Sequence, residues 1–153
     1  MLQQYPGVHL TIVGSRSVFR NAVEARCREL AVQYQVTFAG QVSDQELREL
    51  YNKADALVQP SLSEGFGLTG LEALAVGLPA IVSDIPIFRE IYQNAAVFFN
   101  PRDPVSVYEA LEFAINNKSD LVADAQQLLT KYKWDTMAKQ TLEHYQRVLN
   151  AKL

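Results

Sequence analysis

Two carboxylates, Glu64 and Glu72, stand either side of a stretch in which Gly65, Gly67 and Gly70 fall within six residues. The stretch follows an apolar run ended by Pro60 and precedes residues at helical spacing, so it reads as a strand-to-helix turn. Glycines there let the backbone approach a ligand closely or adopt positive φ. A helix opening at such a turn presents unpaired N–H groups and a partial positive charge, and these stabilise an arriving phosphate. Gly67, Leu68 and Thr69 are the candidates for that cradle. Glu72, one turn into the helix, carries two acceptor oxygens suited to ribose hydroxyls beside a phosphate. Glu64, earlier in the loop, can accept hydrogen bonds from a sugar or offset positive charge forming at a reacting carbon.

Plain structural readings cover the same residues. Thr69, Gly70, Leu71 and Glu72 also spell a capping box, in which Glu72 would serve only the helix start. An exposed loop carboxylate such as Glu64 is usually just solvated. A carboxylate pair also suits a glycosidase acid and base, but that chemistry needs a controlled separation across a sugar cleft and has no use for a phosphate cradle. Spacing alone leaves these readings open.

The elements that must hold the loop follow from periodicity. Short apolar runs at residues 9–13, 36–39, 56–59, 80–83 and 96–99 have strand length and turn-forming borders. Between the first two, Val18, Ala22, Ala25, Leu30 and Tyr34 lie on one helical stripe. Ser43 and Glu46 form a capping box that opens a second helix through Leu47, Leu50, Tyr51 and Ala54. Residues 69–76 predict a short helix stopped by Gly77 and Pro79, and residues 86–92 another. Asp103 and Pro104 open a helix toward Asn117, and residues 120–132 and 134–150 read as two more, with Trp134 as a packing aromatic. Strands alternating with helices predict an α/β, Rossmann-like doubly wound fold, its mostly parallel sheet covered on both faces. Ligands of such sheets sit beyond the carboxyl ends of the strands.

At 153 residues and 48% apolar content, the chain is long enough for one domain, expected over residues 1–153. A net charge of −3 without a basic run beyond residues 131–133 argues against a nucleic-acid partner. The only cysteine, Cys27, closes no intramolecular disulfide, and its place is packing on a helix in a reducing, cytoplasmic setting. No apolar stretch approaches membrane-spanning length, which predicts a soluble chain, and no metal-ligand cluster suggests a metal or other cofactor. His9 and His144 have no neighbours that would suggest catalysis.

SEGFGLTGLEALAVGLPAIVSD resembles the glutamate signature of family-four retaining nucleotide-sugar glycosyltransferases, with seven residues between Glu64 and Glu72. LTIVGS, VTFAGQV, ELYNKADALVQPS, AAVFFNPRDP and KWDTMA extend the likeness over nearly the whole chain. The resemblance implies the carboxyl-terminal, donor-binding half of a GT-B enzyme. Glu64 would contact the donor sugar, and the backbone of Gly65, Phe66, Gly67, Leu68 and Thr69 would face sugar and diphosphate. Glu72 would hold the ribose. The turn at Gly14 and Ser15 and the turn at Gly40, Gln41 and Val42 would flank the nucleotide, with backbone groups of Gln41 and Val42 reading the base edge. The implied donor is UDP- or GDP-linked, used without metal, with a donor phosphate oxygen helping to deprotonate the acceptor.

The sequence departs from that family at one point. The family's domain usually opens with a further, central strand and a loop whose Arg and Lys clamp the diphosphate. Here the first lysine is Lys53, and Arg16 and Arg20 follow a different strand and are not assigned that role. Two missing cations would cost transition-state stabilisation, and the amino-terminal acceptor-binding domain would be missing too. Any peripheral membrane association would run through that domain. The expectation is a fragment with weak donor binding and little transfer. The alternative is a catalytically silent nucleotide-binding or interaction module that keeps the fold.

Overall fold

A computed structural model of the chain describes residues 5, 7–15 and 18–151, excepting the Val18 side chain. It forms two compact units, Met1–Leu50 and Tyr51–Leu153. In the first, β1 (Leu10–Val13) pairs in parallel with β2 (Val36–Gly40), and α1 (Val18–Glu29) connects them. Then α2 (Asp44–Lys53) starts where Ser43 and Glu46 close the predicted capping box: Ser43 N donates to Glu46 Oε2 at 2.7 Å and Glu46 N to Ser43 Oγ at 3.3 Å. Those bonds hold the exposed Glu46 carboxyl below its ordinary range. Cys27 is the one buried residue of this unit among those described, as its packing role predicts.

The α1 stripe does not run to Tyr34 as its spacing predicts. The helix stops at Glu29, where Ala31 turns left-handed at φ 56°. Ala31 N then donates to Arg28 O and Val32 N to Cys27 O, the paired bonds of a Schellman cap. Because an alanine fills the position that glycine usually marks, the stop carries no sequence signal. A 3-10 turn, Gln33–Gln35, follows, and Tyr34 is exposed.

In the second unit, β3 (Leu57–Gln59), β4 (Ala80–Ser83) and β5 (Ala96–Phe99) form a parallel sheet in that order. All four residues of β4 are buried, as a central parallel strand requires. Successive side chains of a strand point to opposite faces. Ala80 and Val82 enter one cluster with Leu71, Leu74, Phe88 and Tyr92, while Ile81 enters another with Phe99, Ala110 and Ala114. The helices responsible are α3 (Leu68–Ala75) and α4 (Pro86–Tyr92) for the first and α5 (Pro104–Asn116) for the second. Each fully buried Leu, Phe or Ile contributes roughly 1.5–3 kcal/mol relative to exposure. Asp103 caps α5, accepting from Val105 N at 2.9 Å, with Pro104 in its first turn.

α6 (Lys118–Leu129) begins immediately after Asn117, which ends α5, and adds Leu121 to the second cluster and Ala125 and Leu128 to the first. In α7 (Trp134–Asn150) Trp134 is 74% exposed, and no residue of the helix is buried. The expected burial of Trp134 is therefore not what the fold does: its stripe of Trp134, Leu142, Tyr145 and Leu149 faces outward. The strands thus form two parallel sheets, β1–β2 and β3–β4–β5, each flanked by helices in a Rossmann-like α/β arrangement. Among the described residues no helix is long and apolar enough to cross a membrane.

Candidate functional site

β3 ends at Gln59, and residues 60–67 form the turn that delivers the chain to α3. Gly67 is the N-cap, at φ 100°, a conformation that side chains rarely adopt. The helix therefore starts at Leu68, and Thr69 sits inside its first turn. The capping box read from Thr69 to Glu72 does not form: no side chain of the N-cap residue bonds the helix, and Glu72 Oε2 accepts instead from the Tyr51 hydroxyl at 3.4 Å. The amides of Leu68 and Thr69 have no acceptor among the described residues and lie on exposed residues at the positive end of the helix. At the far end, Gly77 at φ 76° closes α3 with the predicted stop, Gly77 N to Leu74 O and Leu78 N to Ala73 O.

The structure brings Glu64, Gly65, Phe66, Gly67, Leu68, Thr69 and Glu72 together at the carboxyl end of β3, where a doubly wound sheet binds its ligands. Both carboxylates are exposed. Ser61 Oγ donates to Glu64 Oε1 at 2.7 Å and Gln59 Nε2 reaches the same oxygen at 3.4 Å. Phe66, itself exposed, meets the Tyr132 ring edge to face, centroids 5.7 Å apart. Tyr132 also donates to Ile91 O at 3.2 Å. Glu90, on exposed α4 surface, helps burial raise the Tyr132 phenol.

Tyr92 was not singled out by the sequence. Its fully buried phenol donates to the Gly67 carbonyl and lies 3.3 Å from Gln59 Oε1. A β-carbon on Gly67 would come within 2.6 Å of the phenol oxygen, and one on Gly70 would overlap the Tyr92 ring. Two glycines three apart leave one helix face bare, and this is the single sequence signal that a large side chain fills it. Burial drives the Tyr92 phenol well above its ordinary range. At the end of β4, Arg89 forks onto Asp84 through bonds of 2.6 and 2.8 Å and stacks 3.9 Å over Phe98, which holds the Asp84 carboxyl below its usual range.

The other predicted residues belong to the first unit. Gly14 N donates to Gly40 O at 2.9 Å, so the turns carrying Gly14, Ser15, Gln41 and Val42 lie side by side at the carboxyl ends of β1 and β2. Arg16 lies outside the described residues. Arg20 is committed elsewhere, paired with Glu24 at 2.7 Å and set 5.0 Å over Phe38. A cavity of about 350 Å³ lined by Asn94, Phe113, Asp120 and Asp124 sits at the amino end of β5, the opposite end of the parallel sheet from the glutamate loop.

Residues 1–132 match the family Glycosyl transferases group 1. The chain belongs to that family. It is 38% identical over 129 residues to the O-antigen chain mannosyltransferase RfbU of Salmonella typhimurium, covering 84% of this chain and 36% of that protein. A glycosyltransferase of Methanocaldococcus jannaschii is 33% identical over 142 residues, again spanning 89% of this chain and 36% of the relative. The chain thus spans about a third of both relatives. Among solved structures, a sucrose-phosphate synthase from Thermosynechococcus elongatus superposes with a TM-score of 0.85 at 26% identity, over 98% of this chain and 41% of that one. Anabaena HepE in complex with UDP and glucose superposes at 0.84 and 18% identity, over 94% and 42%. This group 1 glycosyltransferase chain has the α/β architecture of the carboxyl-terminal half of a GT-B fold.

Proposed function

We propose that the chain is the nucleotide-sugar donor-binding half of a retaining, family-four glycosyltransferase. The observation that carries the reading is the start of α3: Gly67 at φ 100° leaves the Leu68 and Thr69 amides free at a helix N-terminus, with Glu64 and Glu72 exposed on either side. The donor diphosphate lies against those amides, and Glu72, free of any capping duty, accepts from the ribose hydroxyls. Glu64, anchored through Oε1, turns its other oxygen to the sugar.

In transfer, the bond from the anomeric carbon to the diphosphate breaks as the acceptor hydroxyl attacks the same face, its proton passing to a donor phosphate oxygen. Glu64 offsets positive charge at the anomeric carbon, and no protein nucleophile or metal takes part. The donor is UDP- or GDP-linked. The UDP and glucose bound by HepE and the mannosyltransferase name of RfbU support a nucleotide-linked hexose. Acceptor binding belongs to sequence that the longer relatives carry beyond this region, and the enzyme works in the cytoplasm. The 153-residue chain alone binds donor weakly and transfers little, because near-attack geometry requires both substrates to be held. Calorimetry with UDP-glucose and GDP-mannose tests the reading: heat of binding for either supports it, and no heat for both at millimolar concentration overturns it.

A further inference from the structure

We propose that Tyr92 is the positioning residue of the glutamate loop: its buried hydroxyl holds the Gly67 carbonyl at the start of α3 and, through Gln59, aims the Glu64 carboxylate. The inference rests on the donor-site reading for its consequences with ligand, and on geometry alone for the relay itself.

A glycine at the N-cap position has no side chain with which to satisfy the third amide of the helix. From the last turn of α4 the Tyr92 hydroxyl instead holds the N-cap residue itself, directing its single proton toward the Gly67 carbonyl and Gln59 Oε1. No side-chain cap then covers the Leu68 and Thr69 amides. An N-cap serine or aspartate would instead put its own oxygen beside those amides.

Gln59 carries the effect to the loop. Its amide oxygen faces the phenol, so its amide nitrogen faces Glu64 Oε1, which Ser61 also engages. Both donors fall on one carboxylate oxygen. Oε2 of Glu64 has no partner among the described residues and is available to a ligand hydroxyl. The two bonds through Gln59 are long, at 3.3 and 3.4 Å, so each orients weakly, and the pair acts by narrowing the range of a side chain that is otherwise solvated.

The experiment uses the 153-residue chain. Without ligand, the relay expects the Gln59 side-chain amide resonances to shift in both Tyr92→Phe and Glu64→Gln. With ligand, Gln59→Met is expected to weaken UDP-glucose or GDP-mannose about three- to tenfold while leaving UDP and GDP unchanged. Tyr92→Phe weakens the sugar nucleotides and the nucleoside diphosphates alike, since it also loosens the cradle. Unaltered Gln59 resonances in either variant overturn the relay. Equal loss for sugar nucleotide and nucleoside diphosphate in Gln59→Met overturns the aiming of Glu64. A wild-type chain that binds none of the four compounds defeats the donor-site reading, and the two ligand-free measurements still decide the relay.

Discussion

The Tyr51 hydroxyl, at the start of the second unit, donates across 3.4 Å to Oε2 of Glu72, one turn into α3. That bond draws Glu72 away from the start of its own helix. A carboxylate reaching sideways to a phenol is not reaching back to cap its own helix, and its remaining acceptor capacity faces solvent. Glu72→Ala is therefore expected to lower the urea midpoint only modestly, through the lost Tyr51 bond, and to weaken UDP or GDP binding tenfold or more, on the order of one hydrogen bond to a charged group. Parallel urea titration and calorimetry check this. A large fall in stability with binding intact would return Glu72 to a structural role.

Burial, then the charge of Glu72 and the hydrogen bond to it, push the Tyr51 phenol from 10.0 up to about 12. In the unfolded chain the phenol ionises near its ordinary value, so between pH 10 and about 12 the unfolded state has lost a proton that the native state still holds. Its contribution is present in full below pH 10 and is lost as pH rises through the folded value. Tyr92 shifts the same way through burial. Unfolding curves across this range are expected to show declining stability, with a shallower decline in Tyr51→Phe.

Ala31 occupies a left-handed position, φ 56°, at the end of α1. For a residue with a β-carbon this costs roughly 1–2 kcal/mol, and glycine relieves most of it. Ala31→Gly is expected to stabilise the chain by about 1 kcal/mol, because the Schellman bonds through Arg28 and Cys27 are already made. Denaturant midpoints of the two proteins provide the check, and a lower midpoint for the glycine variant would contradict the strain.

Local chemistry was legible wherever the interacting groups lie within a few residues of one another. Ser43 with Glu46, Asp103 with Val105, and Gly77 with Leu74 are of this kind, and each element boundary they mark is found as read. The alternation of buried runs and amphipathic helices likewise implied the parallel α/β architecture, because period-two and period-3.6 patterns are properties of the chain itself. Local signals also failed where one residue type stood in for another. Ala31 ended α1 without a glycine, and Gly67 started α3 ahead of Thr69, emptying the apparent capping box of its role.

What the sequence by itself determined was the set of candidate groups, Glu64, Glu72 and the glycines between them, and the kind of element that carries them. Which atoms of those groups remain free was decided only by tertiary structure. Tyr92 reaches Gly67 across 25 positions and Tyr51 reaches Glu72 across 21, and no spacing rule connects them. Such partners meet because a buried hydroxyl must find an acceptor once its ring is packed, and that requirement exists only after the core has formed.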